Sequence, residues 1–196
     1  MEAFSDGVMA VVITIMVLNL RPPNGQALHD LRPLWPKLAV YLLSFTFVAI
    51  YWNNHHHLMQ TVRRVSGGVL WANSHLLFWL SLTPVAAAWL GPHLGDSAPV
   101  AVYGVVLLGS GMAYVVLTRS LIAVHGPGSE LARAVGRDQK GVLSLVAYAG
   151  GILVAPWVPW LSVALYTAVA AAWLIPDRRI ERVIAPENPR DPSEVL

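Results

Sequence analysis

The chain has 196 residues, of which 56 % are hydrophobic and only 12 % charged, with a formal net charge of +2. That leaves too few ionic groups to coat a water-soluble globule of this size, and the positive mean hydropathy points to an all-α polytopic membrane protein. Cysteine is absent, which excludes a disulfide framework, a thiolate metal site and a cysteine nucleophile.

The first apolar run begins almost at the first residue, with Phe4-Ser5-Asp6-Gly7 leading into Val8 to Leu20. At 1.5 Å per residue, Phe4 to Leu20 spans roughly 25 Å, slightly short of the ~30 Å hydrocarbon core, so the helix is expected to begin upstream of Phe4. A secretory leader would need a basic start and a small-residue cleavage site, whereas this segment carries Glu2 and Asp6 and closes on Leu20-Arg21-Pro22. It reads as a retained span.

Arg21-Pro22-Pro23-Asn24-Gly25 stops the helix and opens an external loop to Lys37, with room for one short amphipathic turn. Leu38 to about Leu58 forms a second span, apolar and aromatic until Tyr51-Trp52-Asn53-Asn54-His55-His56-His57 and closed by Arg63-Arg64. Gly68 to Leu90 forms a third, kinked at Pro84, with Asn73, Ser74 and His75 near its start. Pro99 to Val124 is a fourth, in which Gly104, Gly109, Gly111 and Ala113 offer small surfaces for close helix contact.

The polar connection from His125 to Lys140 leaves Ser129 placed to cap a short turn beginning at Glu130. A fifth span, Gly141 to about Ala155, and a sixth, about Trp160 to Ile175, are joined only by Pro156-Trp157-Val158-Pro159 and must pair antiparallel. These six spans make one transmembrane domain, 1–184, followed by a mobile cytoplasmic tail, 185–196. Eight Trp and six Tyr suit two interfacial belts.

Orientation follows from the cations. With both termini cytoplasmic, Arg63, Arg64, Arg119, Arg133, Arg137, Lys140, Arg178, Arg179, Arg182 and Arg190 lie inside, ten of the thirteen, against Arg21, Arg32 and Lys37 outside. The basic residues are scattered through loops without an aromatic face, which argues against nucleic acid as a partner.

Two features of the spans need explaining. Val11, Ile15 and Leu18 stand at i, i+4 and i+7 on one helical stripe with Thr14 beside them, a pattern that serves helix or lipid packing as readily as a pore wall. Asp6 is a carboxylate within or at the edge of a span, where it is expensive unless paired. The deduced topology puts Trp52, His55 and His56 at the same depth, so Ser5 and Asp6 can accept hydrogen bonds from indole or imidazole N–H groups, giving a polar lock between the first two helices. Trp52 and His56, at i and i+4, can face it together.

Phe4-Ser5-Asp6 followed by an apolar run with Thr14, and Trp52 followed by His55-His56 and Leu58, resemble the first- and second-helix signatures of the transmembrane protein 175 family, the endolysosomal potassium channels, in its prokaryotic single-repeat branch. The resemblance implies a homotetramer of six-span subunits in the cell membrane, with a K⁺-permeable pore lined by the first helix. It assigns Val11, Ile15 and Leu18 to a hydrophobic constriction, Thr14 to a hydroxyl position near the narrow segment, and Phe4, Ser5, Asp6, Trp52, His55 and His56 to the lock. The family pattern also has an Arg four residues before the Phe, a position that falls just before Met1; without that Arg, Asp6 would lose the cation the pattern supplies.

The Thr-Val-Gly-Tyr-Gly carbonyl filter is absent from the sequence, so selection is expected from dehydration at an apolar neck, which costs K⁺ less than Na⁺. Weak to moderate K⁺ preference and gating by dewetting follow. Consecutive helical residues point about 100° apart, so His55, His56 and His57 cannot converge on one metal. No hydrolase elbow, His-Glu-x-x-His or phosphate loop is present, so neither catalysis nor a cofactor is expected; K⁺, lipid and further copies of the chain are the partners. The alternatives are a small proton-coupled transporter that uses Asp6 and His56 as a relay, and a membrane scaffold without transport.

Overall fold

The computed structural model describes residues 1–23, 25–136 and 138–174, and among them all regular structure is helical. The tail from 185 on, and with it Arg137, Arg178, Arg179, Arg182 and Arg190 of the topology argument, lies outside the described residues.

Helix α1 runs Glu2–Leu18 and ends where Asn19 N–H turns back to the carbonyls of Met16 and Val17, just ahead of Pro22-Pro23. After a 3₁₀ turn at Leu28–Leu34, α2 runs Trp35–Gln60 with Pro36 in its first turn, where the missing N–H costs nothing. The third apolar stretch is one candidate span, Gly67–His93, with an interruption next to Pro84. It is divided into α3, Gly67–Ser81, and α4, Thr83–Leu90, by a break at Leu82. The interruption lies two residues before Pro84, on the side where a proline disturbs the ladder. Pro84 lacks the N–H that would continue the ladder, and the chain compensates earlier, with Leu82 N–H closing a tighter turn on Trp79 O.

Helix α5, Ser97–His125, is the central post, packed along its length against α3, α4, α7 and α8. Its glycines set the close approaches: a Cβ at Gly109 would overlap the Trp79 indole, and one at Gly104 would overlap the Tyr166 ring. The short α6, Glu130–Val135, is capped by Ser129, whose Oγ accepts from Ala132 N–H at 3.1 Å. Then α7, Gln139–Val154, and α8, Pro159–Leu174, form an antiparallel pair across a tight turn. Ser162 Oγ donates to Gly151 O at 2.6 Å within that pair.

Two apolar clusters hold the bundle. One joins Met9, Val12 and Met16 of α1 to α3, the end of α2 and the second half of α5; the other joins the first half of α2 to α4, α5, α7 and α8. Among the described residues three stretches, Leu28–Gln60, Gly67–His93 and Ser97–His125, are long and apolar enough to cross a membrane, and the apolar α7 and α8 are shorter. The chain is a multi-pass membrane protein.

Candidate functional site

Helix α1 presents two different faces. Ser5, Met9, Val12 and Met16 are buried against the bundle, while Phe4, Gly7, Val11, Thr14, Ile15 and Leu18 are exposed. The stripe is open over its whole length: Val11 is 56 % exposed, Ile15 44 % and Leu18 73 %. Thr14 returns its hydroxyl to Ala10 O at 2.9 Å, so it presents its methyl and an oxygen lone pair without leaving a donor unpaired. The outer face is thus apolar from Val11 to Leu18, with polar groups satisfied within the helix.

At the amino-terminal end of α1 a polar cluster ties three helices together. Asp6 Oδ1 accepts from Trp52 Nε1–H at 3.0 Å. The Trp52 ring stacks on His56, centroids 5.7 Å apart and planes 15° apart, as their i, i+4 spacing on α2 allows. His56 Nδ1 bonds Glu2 Oε1 at 3.0 Å, and its Nε2 accepts from Gln60 Nε2 at 3.0 Å. Glu2 and Asp6, one turn apart on α1, therefore meet His56 and Trp52, one turn apart on α2.

The buried half of the cluster differs from the expectation that an imidazole or indole reaches Ser5. Ser5 is fully buried and is met by Asn73 of α3, whose Nδ2 donates to Ser5 Oγ at 2.9 Å. His55, also fully buried, donates from Nε2 to Asn73 Oδ1 at 2.8 Å, and its Nδ1 is buried without a partner. Asn73 offers an acceptor and a donor on one amide, so it can satisfy two different helices at once. Phe4, placed with the lock on resemblance, is 66 % exposed and belongs to the open face. Sequence reasoning missed Asn73 and Glu2. The available signal was a buried amide in an otherwise apolar helical face, and an acid one turn before Asp6.

Comparison with known proteins shows the family of the chain. A family model described as the endosomal/lysosomal potassium channel TMEM175 matches residues 1–84, the stretch that holds α1, the polar cluster and all of α3. A protein of Chryseobacterium sp. (strain P1-3), named a potassium channel, is 47 % identical over 182 residues, which is 93 % of this chain and 95 % of that one. The chain belongs to the TMEM175 family. A relative from Streptomyces collinus (strain DSM 40733 / Tue 365), also named a potassium channel, is 33 % identical over 121 residues, 58 % of this chain and 59 % of that one. The crystal structure of a lysosomal potassium-selective channel TMEM175 homolog from Chamaesiphon minutus superposes with a TM-score of 0.76 over 94 % of this chain and 96 % of that one; at 24 % identity the likeness shows a shared TMEM175 fold. This is a family of ion channels and not of enzymes.

Proposed function

We propose that the chain is the subunit of a potassium-permeable channel, in which the α1 helices of four copies meet on a symmetry axis and line the pore. The observation that carries this reading is the open stripe of α1. A helix whose other face is packed into the bundle leaves Val11, Thr14, Ile15 and Leu18 uncovered. Stacked around an axis these residues make apolar rings, with Val11, Ile15 and Leu18 as the constriction and Thr14 beside the narrow segment. The names of the Chryseobacterium and Streptomyces relatives support K⁺ as the permeant ion.

In this reading each subunit crosses the cell membrane six times, with α1, α2, the α3–α4 pair, α5, α7 and α8 as the spans and both termini in the cytoplasm. An apolar neck selects by the cost of stripping water, which favours K⁺ over Na⁺ modestly, and it closes by dewetting. The bonds of Ser5 and Asp6 to Asn73 and Trp52, with His55 and His56 behind them, fix the rotation of α1 and so hold the stripe toward the axis. The rival relay from Asp6 to His56 is disfavoured by Trp52, which is bonded to the first and stacked on the second.

The test is a concentration-driven K⁺ flux assay on purified, reconstituted protein. Conductive K⁺ flux with single-channel openings supports the channel; saturating flux coupled to protons selects the transporter, and intact oligomers without flux select the scaffold.

A further inference from the structure

A second site lies on the far side of α2 from the polar cluster. Between α2, α5, α7 and α8 is a cavity of about 50 Å³, large enough for a few waters or a compact ion of a handful of heavy atoms. Its walls are aromatic: Phe47, Tyr51, Tyr114, Tyr148 and Trp173 all line it. Two of these rings meet edge to face, Tyr51 with Tyr114 at 6.0 Å between centroids, and so do Phe47 and Tyr148 at 6.1 Å. Edge-to-face pairing leaves the negative face of one ring in each pair unstacked by its partner.

The cavity also carries a carboxylate. Asp138 caps α7 by accepting Gly141 N–H at 2.8 Å through Oδ1, and both residues line the space. Among the other polar groups of the lining, Tyr114 donates to Asn54 O at 3.3 Å, and Ser144 accepts from Trp173 Nε1 at 2.9 Å. The Trp173 ring already holds one cation, the Lys140 ammonium, 5.8 Å from its centroid. Aromatic walls with one carboxylate are the surroundings in which an alkylammonium, too weakly hydrated to repay a polar cage, gains from ring faces and a single counter-charge.

We infer that this cavity binds a small organic cation of the alkylammonium class. Its site is separate from the α1 stripe, and Tyr51 and Asn54, which line it, are the chain neighbours of Trp52 and His55. An occupant therefore bears on the turn of α2 whose opposite side carries the bonds to α1 and α3.

Tetramethylammonium and tert-butanol, nearly equal in size and differing in charge, are the probes, followed by saturation-transfer NMR on the reconstituted full-length protein. The expected result is saturable tetramethylammonium binding in the millimolar range, with tert-butanol weaker. D138N keeps a side chain that caps a helix as well as Asp does, and should raise the tetramethylammonium Kd by about fivefold or more while leaving tert-butanol unchanged. V115F fills the cavity from α5 and should abolish binding of both. Equal affinity for the two probes, a tetramethylammonium Kd unmoved by D138N, or binding that survives V115F in a protein that elutes as the wild type would each overturn the inference.

Discussion

Trp52 donates its indole N–H to Asp6 across 3.0 Å, and this bond joins the polar end of α1 to α2 at the point where the sequence leaves a carboxylate among apolar residues. The rest of α1 below it has only apolar contacts with the bundle, through Met9, Val12 and Met16. Apolar packing resists separation of helices but tolerates small rotations, since it has no direction. The hydrogen bonds at one end therefore set which residues α1 turns outward.

Replacing Trp52 with Phe keeps a ring to stack on His56 and removes the donor to Asp6. Bonds of this kind in membrane proteins are worth about 0.6 kcal/mol on average and up to about 1.7, so the proposed oligomer should melt a few degrees lower in detergent. Asp6→Asn should likewise weaken assembly more than it alters ion preference. Native-like thermal survival of the oligomer in both variants would show that the bond is incidental.

Asn73→Leu should cost more. It strands the buried His55, whose Nε2 loses its partner, while Ser5 keeps its bond to Met1 O, and an unpaired buried polar group costs about 1–3 kcal/mol. Ser5→Ala removes a single hydroxyl and should be milder. Thermal unfolding of the two single variants and the double variant measures the difference; if Ser5→Ala proves the more damaging, Asn73 is not the hub.

Val11→Ala should widen the proposed neck and flatten K⁺/Na⁺ discrimination, read as a reversal-potential shift under bi-ionic conditions. The variant should remain folded, because Val11 is more than half exposed in the subunit. Selectivity that does not change would remove Val11 from the constriction.

Gly109→Ala should destabilise by about 1–3 kcal/mol, the range for overpacking, because the added methyl falls on the Trp79 indole where α5 crosses α3. Gly150→Ala meets nothing within 4 Å and should be neutral or stabilising, by up to about 1 kcal/mol of helix propensity. Opposite signs in a thermal-shift assay check the close approach directly.

The sequence by itself determined the helices, because hydropathy and turn chemistry are local. Pro22-Pro23 ends α1, Ser129 starts α6, and Pro156 and Pro159 bracket the turn between α7 and α8. It also determined that Asp6 needs a partner and that Val11, Ile15 and Leu18 share a stripe, since both follow from burial cost and the helical period. Only the tertiary structure decided that Asn73 stands between Ser5 and His55, that Glu2 meets His56, and that the third apolar stretch breaks at Leu82. Those outcomes depend on how far α3 is rotated and how deep it sits against α1 and α2. Rotation and depth are fixed by the sum of many weak apolar contacts between residues distant in the chain, and no local pattern encodes that sum.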